Sequence, residues 1–270
     1  MQDTGKFRTN DKDQFYTCPK VAKTCIESVL KELPYTRQAL WIEPSAGAGA
    51  FYQSLTEPIK KIALDIDPKG PNIQKADFLT WQAPPQPAVY FGNPPFGRQG
   101  SLARKFLAHA GKSAQVMAFI LPRSFMKPSM QTSIPLLFHL VHEKELEKNS
   151  FLVNEKPYDV PCVFQIWERR SSPRVLEEKV VASGYTYTKE SDWDMAIRRV
   201  GGLAGKAFLP GCEKLSSQSH YFIKFDPVLP KEKIEEIQKK LCSHEFPSNT
   251  TGPRSLSQSE VNCVLGPLVP

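Results

Sequence analysis

The sequence has no long hydrophobic run. Its longest apolar stretches lie at 116–121 and 160–167, far below the roughly 18 to 20 residues that a membrane-spanning helix needs. The first 13 residues are polar and mixed in charge, without the apolar core of a secretory signal. We therefore expect a cytoplasmic or nuclear protein that is neither secreted nor inserted in a membrane.

Cysteine is sparse and dispersed. The six cysteines form no CxxC pair and no Cys/His cluster, so no metal site is expected. Their wide separation favours reduced thiols in a reducing compartment over a disulfide framework.

Acidic residues are fewer than basic ones. The chain has 28 Asp and Glu residues and 35 Lys and Arg residues, which gives a net charge of +7. The 40% of hydrophobic residues is enough for a sizeable core, which excludes global disorder. A basic, folded chain predicts a polyanionic partner, and nucleic acid is the first candidate.

Strand-like and helix-like segments alternate through the first two-thirds of the chain. This pattern predicts βαβ units and a doubly wound, mostly parallel α/β sheet. Helices are predicted at 19–33, 51–55 and 102–110. Strands are predicted at 39–42, 62–66, 89–92, 116–121, 138–142 and 162–167.

The pattern changes around residue 169. Short strands are predicted at 179–182, 185–188, 195–200 and 220–225, and a charged helix at 230–242. We expect a catalytic domain over 1–168, a small β-rich extension over 169–246 and a loop-like tail over 247–270. Within the tail, Ser257 and Glu260 have the spacing of a capping box for a last short helix.

A predicted strand, a small-residue turn and a helix start follow one another over 39–51. After Glu43 and Pro44, the residues Ala46, Gly47 and Gly49 carry little or no side chain, so backbone can approach a nucleotide-like cofactor closely. The turn lacks the third glycine of the dinucleotide fingerprint and the lysine of a phosphate loop. The alternative is a tight strand-to-helix turn that binds nothing.

An acidic residue ends the next predicted strand. Asp65 lies 65 − 43 = 22 residues after Glu43, where a carboxylate binds ribose hydroxyls in this architecture. Asp67 precedes Pro68 and is predicted to cap a following helix.

The string Asn93-Pro94-Pro95-Phe96 directly follows the predicted strand at 89–92. Open α/β sheets bind their ligands at the carboxyl ends of their strands, so this position favours a functional loop. The alternative is a loop that proline merely stiffens.

These motifs together resemble the S-adenosylmethionine-dependent N6-adenine methyltransferases of nucleic acids. The resemblance spans roughly residues 14 to 168 and includes Phe15-Tyr16-Thr17 and Ala76-Asp77-Phe78. It implies a Rossmann-like class I methyltransferase sheet, S-adenosylmethionine as cofactor, and target recognition in the C-terminal part. One departure is Cys18, which stands before Pro19 where the family usually has proline directly after Phe-Tyr-Thr.

The resemblance implies a role for each matched residue near the cofactor. At the methionine end of the cofactor, Phe15, Tyr16 and Thr17 would lie beside the methionine, which would be held by Glu43, Pro44, Ala46, Gly47 and Gly49. Asp65 would bind the ribose. At the adenine end, Ile66 would pack on the ring, Asp77 would accept from the exocyclic amine, and Phe78 would lie against the ring. The alternative for Asp77 is a loop carboxylate that caps a turn.

The resemblance also assigns the chemistry. An exocyclic adenine amine is a poor nucleophile because its lone pair is delocalised into the ring. The Asn93 side-chain oxygen and the rigidly presented Pro94 carbonyl would bind its two hydrogens, with Pro95 in the same string. Phe96 would stack on the target base. No strong general base is required, because the methyl group is already activated as a sulfonium.

The span 93–130 holds six basic residues and no acidic one. We expect Arg98, Arg123 and Lys127, which follow the ends of predicted strands, to contact phosphates or bases of a nucleic acid. Phe125 is expected to be a second residue that stacks on a base. A solvated helix face explains the adjacent pair Arg104 and Lys105 equally well.

Three functions remain open at this point. The leading one is adenine-N6 methylation of DNA, with RNA close behind. The second is methylation of a protein glutamine, whose enzymes share an Asn-Pro-Pro-aromatic loop, and the third is a silent binding module, which nothing favours. About 100 residues follow the catalytic domain, which is few for a domain that reads a long sequence. We therefore expect the protein to recognise a short sequence or a structural feature of its target, or to depend on a protein partner for specificity.

One further patch in this C-terminal part is a candidate for substrate contact. It comprises Arg198, Arg199 and Lys206. The nearby Tyr185, Tyr187 and Trp193 are expected in the core of the small sheet.

Overall fold

The computed structural model describes residues 15–56, 58–189, 191–211, 215–250 and 252–270. Contacts within the chain divide it into two units, one ending at Leu176 and the other beginning at Glu177.

The first unit is built on a seven-stranded sheet. A smaller sheet in the same unit contains β1, β8 and β9. In chain order the strands of both sheets are β1 Tyr16–Thr17, β2 Leu40–Glu43, β3 Lys61–Asp65, β4 Gln74–Lys75, β5 Ala88–Gly92, β6 Ala114–Pro122, β7 Phe138–Glu145, β8 Phe151–Val153, β9 Lys156–Tyr158 and β10 Cys162–Arg169. The helices are α1 Pro19–Glu32, α2 Ala50–Ser54, α3 Ser101–Ala110 and α4 Pro128–Gln131. The order in the large sheet is β4-β3-β2-β5-β6-β10-β7.

The direction of the strands confirms the predicted doubly wound sheet. Strands β4, β3, β2, β5 and β6 pair in parallel, whereas β10 lies antiparallel between β6 and β7. All six strands and all three helices predicted for this part are present, with ends shifted by a few residues. The order reverses between β2 and β5, and such a switch point is where open sheets bind ligands.

The sheet is buried on both faces, which is why its central strand is a continuous apolar run. In β6, Val116, Ala118 and Ile120 join the core cluster that includes α1, and Met117 and Phe119 join the opposite one that includes α3. Parallel strands covered by helices on both sides need this composition. Helix α1 buries Ala22, Cys25, Ile26 and Val29 at helical spacing, and Pro34 follows its end.

A second, three-stranded sheet pairs the N-terminal segment with a hairpin. In it β1 and β9 flank β8, with Tyr16 opposite Leu152 and Thr17 opposite Phe151. The hairpin was not predicted, because its strands have three residues each and β9 contains a proline, which strands generally avoid.

The first unit extends beyond the predicted boundary at residue 168, because two arginines attach the following segment to it. The Arg174 guanidinium donates hydrogen bonds to four backbone carbonyls of residues 131–138 and lies over the Trp167 ring at 5.1 Å. Arg169 donates to the Ala114 carbonyl and lies over the Phe138 ring.

The second unit contains the small β-rich extension that was predicted. Its elements are β11 Tyr185–Thr188, β12 Met195–Arg198, β13 Ala207–Phe208, β14 His220–Phe225, α5 Lys231–Ser243 and α6 Gln258–Leu265. The strands form an antiparallel sheet in the order β11-β14-β12-β13.

Two expectations for this unit are wrong. Residues 179–182 form no strand, since they lie in an irregular stretch. The segment 247–270 is not a loop-like tail: Ser257 and Glu260 form the predicted capping box of α6, and Leu256, Val261 and Leu265 are buried in the core of the unit. This burial of apolar side chains holds the C-terminal segment in place.

Candidate functional site

A cavity of about 560 Å³ opens at the carboxyl ends of β2, β3 and β5. This volume is typical of a small-molecule site. Nearly all residues that were predicted at the cofactor and in the catalytic string line it, and these are Phe15, Tyr16, Thr17, Glu43, Pro44, Ala46, Gly47, Asp65, Ile66, Asp77, Phe78, Asn93, Pro94, Pro95 and Phe96. Sequence reasoning missed Leu102 and Phe106 of α3 and Leu152 of β8, because apolar side chains carry no local signal of a site.

The turn after β2 is shaped by short backbone contacts. The Ala46 amide donates to the Leu64 carbonyl at 2.9 Å, and the Gly47 amide donates to Asp65 Oδ2 at 2.7 Å. Gly47 has φ +53°, and a Cβ there would lie 3.0 Å from the Tyr16 ring. Gly49, with φ +88°, begins α2 and does not line the cavity, so its part is to turn the chain.

Asp65 connects the turn to the end of β3. Its Oδ1 accepts from the Asp67 amide at 2.7 Å, while its Oδ2 accepts from Gly47. Each oxygen keeps acceptor capacity for a ribose hydroxyl, because a carboxylate oxygen offers two lone pairs. The predicted capping role of Asp67 is wrong, because no helix follows it; its carboxylate forms an exposed ion pair with Lys69 at 2.8 Å.

Glu43 is the most unusual group in the cavity, because it is a carboxylate with only 2% of its surface exposed. Its Oε2 is buried and has no hydrogen-bond partner among the residues that the structure describes. Burial raises the pKa of Glu43 well above its usual range, and the nearby Asp65 adds to this; the Tyr52 amide and Lys61 act in the opposite direction. Burial thus favours the neutral form of this carboxyl, and a cation beside it would favour the ionised form.

Gly92 makes room for Glu43, and sequence reasoning missed it. A Cβ at Gly92 would lie 3.2 Å from Glu43 Cγ, and its φ of +125° also favours glycine. The glycine directly before the Asn93 string is the only available signal, and it is weak by itself.

Asn93 is held in one orientation by backbone from another part of the chain. Its Nδ2 donates to the Phe15 carbonyl at 3.0 Å, and its Oδ1 is buried without a partner among the described residues. The Ser45 hydroxyl donates to the Asn93 backbone carbonyl at 3.1 Å. Within the described residues, the amide oxygen of Asn93 is therefore an acceptor whose hydrogen-bonding capacity is unused.

The rest of the string is tied to the start of α3. The Phe96 carbonyl accepts from the Leu102 and Ala103 amides at 3.0 and 3.2 Å. Phe96 is 7% exposed and belongs mostly to the core, so only a small part of its ring is available to a ligand. Pro94 is buried and Pro95 half-buried.

The predicted adenine end of the cavity contains one exposed apolar residue. Ile66 is 67% exposed although it lines the cavity, which fits a flat ring packing on it. Phe78 is buried against Tyr90, Phe106 and His109. Asp77 Oδ1 accepts from the Leu79 amide at 2.9 Å, so the alternative role of capping a turn is present.

Of the five residues predicted to bind nucleic acid, Phe96 lines the cavity, whereas four do not: Arg98, Arg123, Phe125 and Lys127. Phe125 is wrong as a stacking residue, because its ring is fully buried in the core. Arg123 forms an ion pair with Glu145 at 2.7 Å, and Lys127 is buried. Arg98 alone of the four is exposed.

In the second unit, two of the three aromatics expected in the core are there, whereas Trp193 is half-buried and lies outside the core cluster. Tyr185 and Tyr187 lie with the core cluster, and both hydroxyls donate to Asn262 Oδ1. Trp193 packs on Phe222 at 5.5 Å. Arg198 and Lys206 are joined through their backbones, and Arg199 lies over the Tyr221 ring.

Two structural features are absent from the described part of the chain. No group of three or more His, Cys, Asp or Glu residues there is arranged to hold a metal ion. No helix among those residues has the length and apolarity to cross a bilayer.

Comparison with known proteins shows similarity in structure only. No protein-family model and no curated protein sequence matches the chain. One similar solved structure is a candidate RNA methyltransferase from Pyrococcus horikoshii, with 16% identity, TM-score 0.46, and coverage of 58% of this chain and 87% of that one.

Two other solved structures give the same picture. A candidate class I S-adenosylmethionine-dependent methyltransferase from Listeria monocytogenes has 11% identity, TM-score 0.42, and coverage of 61% of this chain and 64% of that one. Magnesium protoporphyrin IX methyltransferase from Synechocystis has 8% identity, TM-score 0.40, and coverage of 55% and 79%. Identities this low say nothing about the substrate of this chain.

The strand order of the large sheet, with its antiparallel β10 between β6 and β7, is that of the Rossmann-like class I methyltransferase fold. A fold hosts many activities, so the function has to be argued from the site.

Proposed function

We propose that the protein is a methyltransferase that transfers the methyl group of S-adenosylmethionine to the N6 amine of adenine in nucleic acid. The observation that carries the proposal is the orientation of Asn93. Its amide nitrogen is engaged by the Phe15 carbonyl, and its oxygen is a buried acceptor with no partner among the described residues, beside the buried carboxylate of Glu43 in one cavity.

The residues present fit the cofactor. Its methionine end carries an ammonium group, which would give Glu43 Oε2 the hydrogen-bond donor that it lacks among the described residues. Asp65 would accept from the ribose hydroxyls, and Ile66 would lie against the adenine. When bound, the cofactor supplies a methyl group that is already activated as a sulfonium.

The acceptor loop fits an amine that carries two hydrogens. The Asn93 oxygen and the Pro94 carbonyl would accept them and draw the nitrogen lone pair out of conjugation. The bound cofactor would supply the methyl group to this nitrogen, with the electron pair of the broken carbon–sulfur bond left on sulfur. The nitrogen returns to neutrality by losing a proton to water. Positioning and electrostatics carry the catalysis.

Nucleic acid is supported by the net charge of +7, and we take DNA as the first polymer to test and RNA as the second. A base in a duplex would have to leave its stack to reach the cavity, which costs a few kcal/mol. The exposed Arg98, which follows the string closely, is available to a phosphate. A protein partner that supplies target specificity belongs to the same proposal.

The test is methyl transfer from labelled S-adenosylmethionine to matched single- and double-stranded DNA and RNA, followed by mass analysis of the nucleosides. N6-methyladenine in one polymer supports the proposal and identifies the substrate. Product in a glutamine-containing protein, with none in any nucleic acid, would move the assignment to protein glutamine methylation.

Asn93→Ala tests the role of the loop. We expect kcat to fall by about 10²- to 10³-fold, the usual effect of removing one transition-state hydrogen-bond partner. The affinity for S-adenosylhomocysteine, measured by calorimetry, should stay within about threefold. Asn72→Gly, at an exposed loop position with φ +60° that glycine also adopts, is the matched control and should retain full activity. Unchanged transfer by Asn93→Ala would refute the mechanism.

A further inference from the structure

The side chain of Asn93 depends on a residue far away in the sequence. Its Nδ2 donates to the carbonyl of Phe15, 78 residues earlier, just before β1. The Ser45 hydroxyl, in contrast, holds only the backbone carbonyl of Asn93. Rotation of the terminal amide is intrinsically broad and roughly two-fold. The bond to Phe15 is therefore what distinguishes the observed orientation from one with oxygen and nitrogen exchanged.

Phe15 is in turn held by the hairpin formed by β8 and β9. Its ring stacks on Tyr158 of β9, with centroids 5.5 Å apart and an interplanar angle of 15°. It also makes an edge contact with Phe151 of β8, which lies opposite Tyr158 in the hairpin. The backbone continues this connection, because the Cys18 amide donates to the Ser150 carbonyl at 3.0 Å.

We propose that Tyr158 is a positioning residue for the transfer reaction: through the stacked ring of Phe15 it places the carbonyl that orients the Asn93 amide. Without this stack the Phe15 carbonyl is no longer fixed, and the Asn93 amide can present nitrogen instead of oxygen to the target. This proposal rests on the proposed function. It gives the hairpin of β8 and β9 a role in orienting the Asn93 side chain of the same site.

The orientation also has a consequence for the choice of target. With Nδ2 bonded to the Phe15 carbonyl, the amide presents its oxygen as an acceptor on the other side, so it favours a target nitrogen that carries hydrogens. A ring nitrogen or an ionised hydroxyl group needs a hydrogen-bond donor. Opposite the Asn93 oxygen it would have none, which would weaken its binding. A flipped amide would offer a donor and would also set its oxygen against the Phe15 carbonyl, which is unfavourable.

The first test needs no activity. In ¹⁵N-labelled protein, the side-chain amide signals of Asn93 are assigned by their disappearance in Asn93→Ala. We expect the exchange of the Nδ2 hydrogens with water to be at least about tenfold faster in Tyr158→Ala than in the wild type, since a hydrogen bond to a fixed carbonyl protects them. Tyr158→Phe keeps the ring and should exchange at the wild-type rate. Equal exchange in Tyr158→Ala and wild type would overturn the proposal.

The second test is kinetic. At saturating cofactor and nucleic acid, we expect kcat of Tyr158→Ala to fall at least about tenfold and that of Tyr158→Phe to stay within about twofold. Tyr35→Ala, which removes an exposed tyrosine bonded to Glu168 in the same unit, is the matched control and should behave as wild type.

Two outcomes separate a positioning role from general damage. The affinity for S-adenosylhomocysteine should change less than kcat does; equal losses in both would show that Tyr158 merely supports cofactor binding and would overturn the proposal. If the wild-type protein transfers no methyl group to any polymer, the proposed function fails, while the exchange measurement still decides whether Tyr158 orients Asn93.

Discussion

Replacement of Glu43 by glutamine is expected to stabilise the protein and to weaken cofactor binding at the same time. Glutamine has nearly the same shape but cannot ionise, so it removes the charge that the cavity buries. The sign of the pH dependence follows from the pKa, which burial and Asp65 raise in the folded protein. In the unfolded chain a glutamate has a pKa of about 4.3.

Between these two pKa values the folded protein holds a proton that the unfolded chain has released. The stability contributed by Glu43 is therefore complete below the unfolded pKa and is lost as the pH rises through the folded one. Glutamine has no such loss. The variant and the wild type should be about equally stable at pH 4, and the variant should gain as the pH increases.

The magnitude follows from the burial of Glu43 and from its unpartnered Oε2. Each unit by which the folded pKa exceeds the unfolded one corresponds to about 1.4 kcal/mol, so a pKa raised well above its usual range predicts a gain of more than about 1 kcal/mol at pH 8. For a domain of this size each kcal/mol raises Tm by about 2–4 °C. Loss of the charge partner should weaken S-adenosylhomocysteine binding by about 2–4 kcal/mol, roughly 30- to 1000-fold.

The assays are thermal unfolding at pH 4 and pH 8 and calorimetric titration with S-adenosylhomocysteine. Glu27→Gln, at an exposed position on α1, is the matched control and should change neither quantity. Titration of the wild type in two buffers of different ionisation enthalpy should show a proton released on binding, because a cation favours the ionised carboxylate. A stability difference that does not grow with pH, or binding by Glu43→Gln within about threefold of wild type, would refute the reasoning.

Three further predictions concern single residues. Asp65→Ala should weaken S-adenosylhomocysteine binding by about tenfold or more and lower Tm, because the amides of Gly47 and Asp67 lose their acceptor; calorimetry and unfolding check both effects. Arg174→Met should cost about 2–4 kcal/mol of stability in urea unfolding, since four backbone carbonyls lose a charged donor; a loss below about 0.5 kcal/mol would contradict this. Ser257→Ala should cost about 1 kcal/mol by breaking the capping box of α6, with Ser257→Thr as a tolerated control.

The sequence predicted six of the seven strands of the large sheet, all except the two-residue β4, because their signals are local. Helical spacing of apolar residues marked α1, an unbroken apolar run marked β6, and a run interrupted only by Gln165 marked β10. The glycine-rich turn and the Asn93 string were found for the same reason, since each lies directly after a strand. The carboxyl ends of neighbouring parallel strands meet at one edge, so these motifs had to come close to one another.

Burial was harder to predict. Phe125 and Phe96 are aromatic residues near the site in sequence, yet Phe125 is fully buried and Phe96 nearly so. Exposure depends on what packs over a side chain from other segments, and no local pattern contains that information. For the same reason the hairpin of β8 and β9, with its short strands, was not found.

The sequence by itself determined the class of the fold, the position of the cavity and the residue types that line it, because these follow from strand and helix periodicity and from small residues at strand ends. Only the tertiary structure decided how those residues act together. It buries Glu43 beside Gly92, and it brings the Phe15 carbonyl to Asn93 across 78 residues. Such contacts depend on the packing of segments far apart in the chain, whose free energy is shared among many side chains.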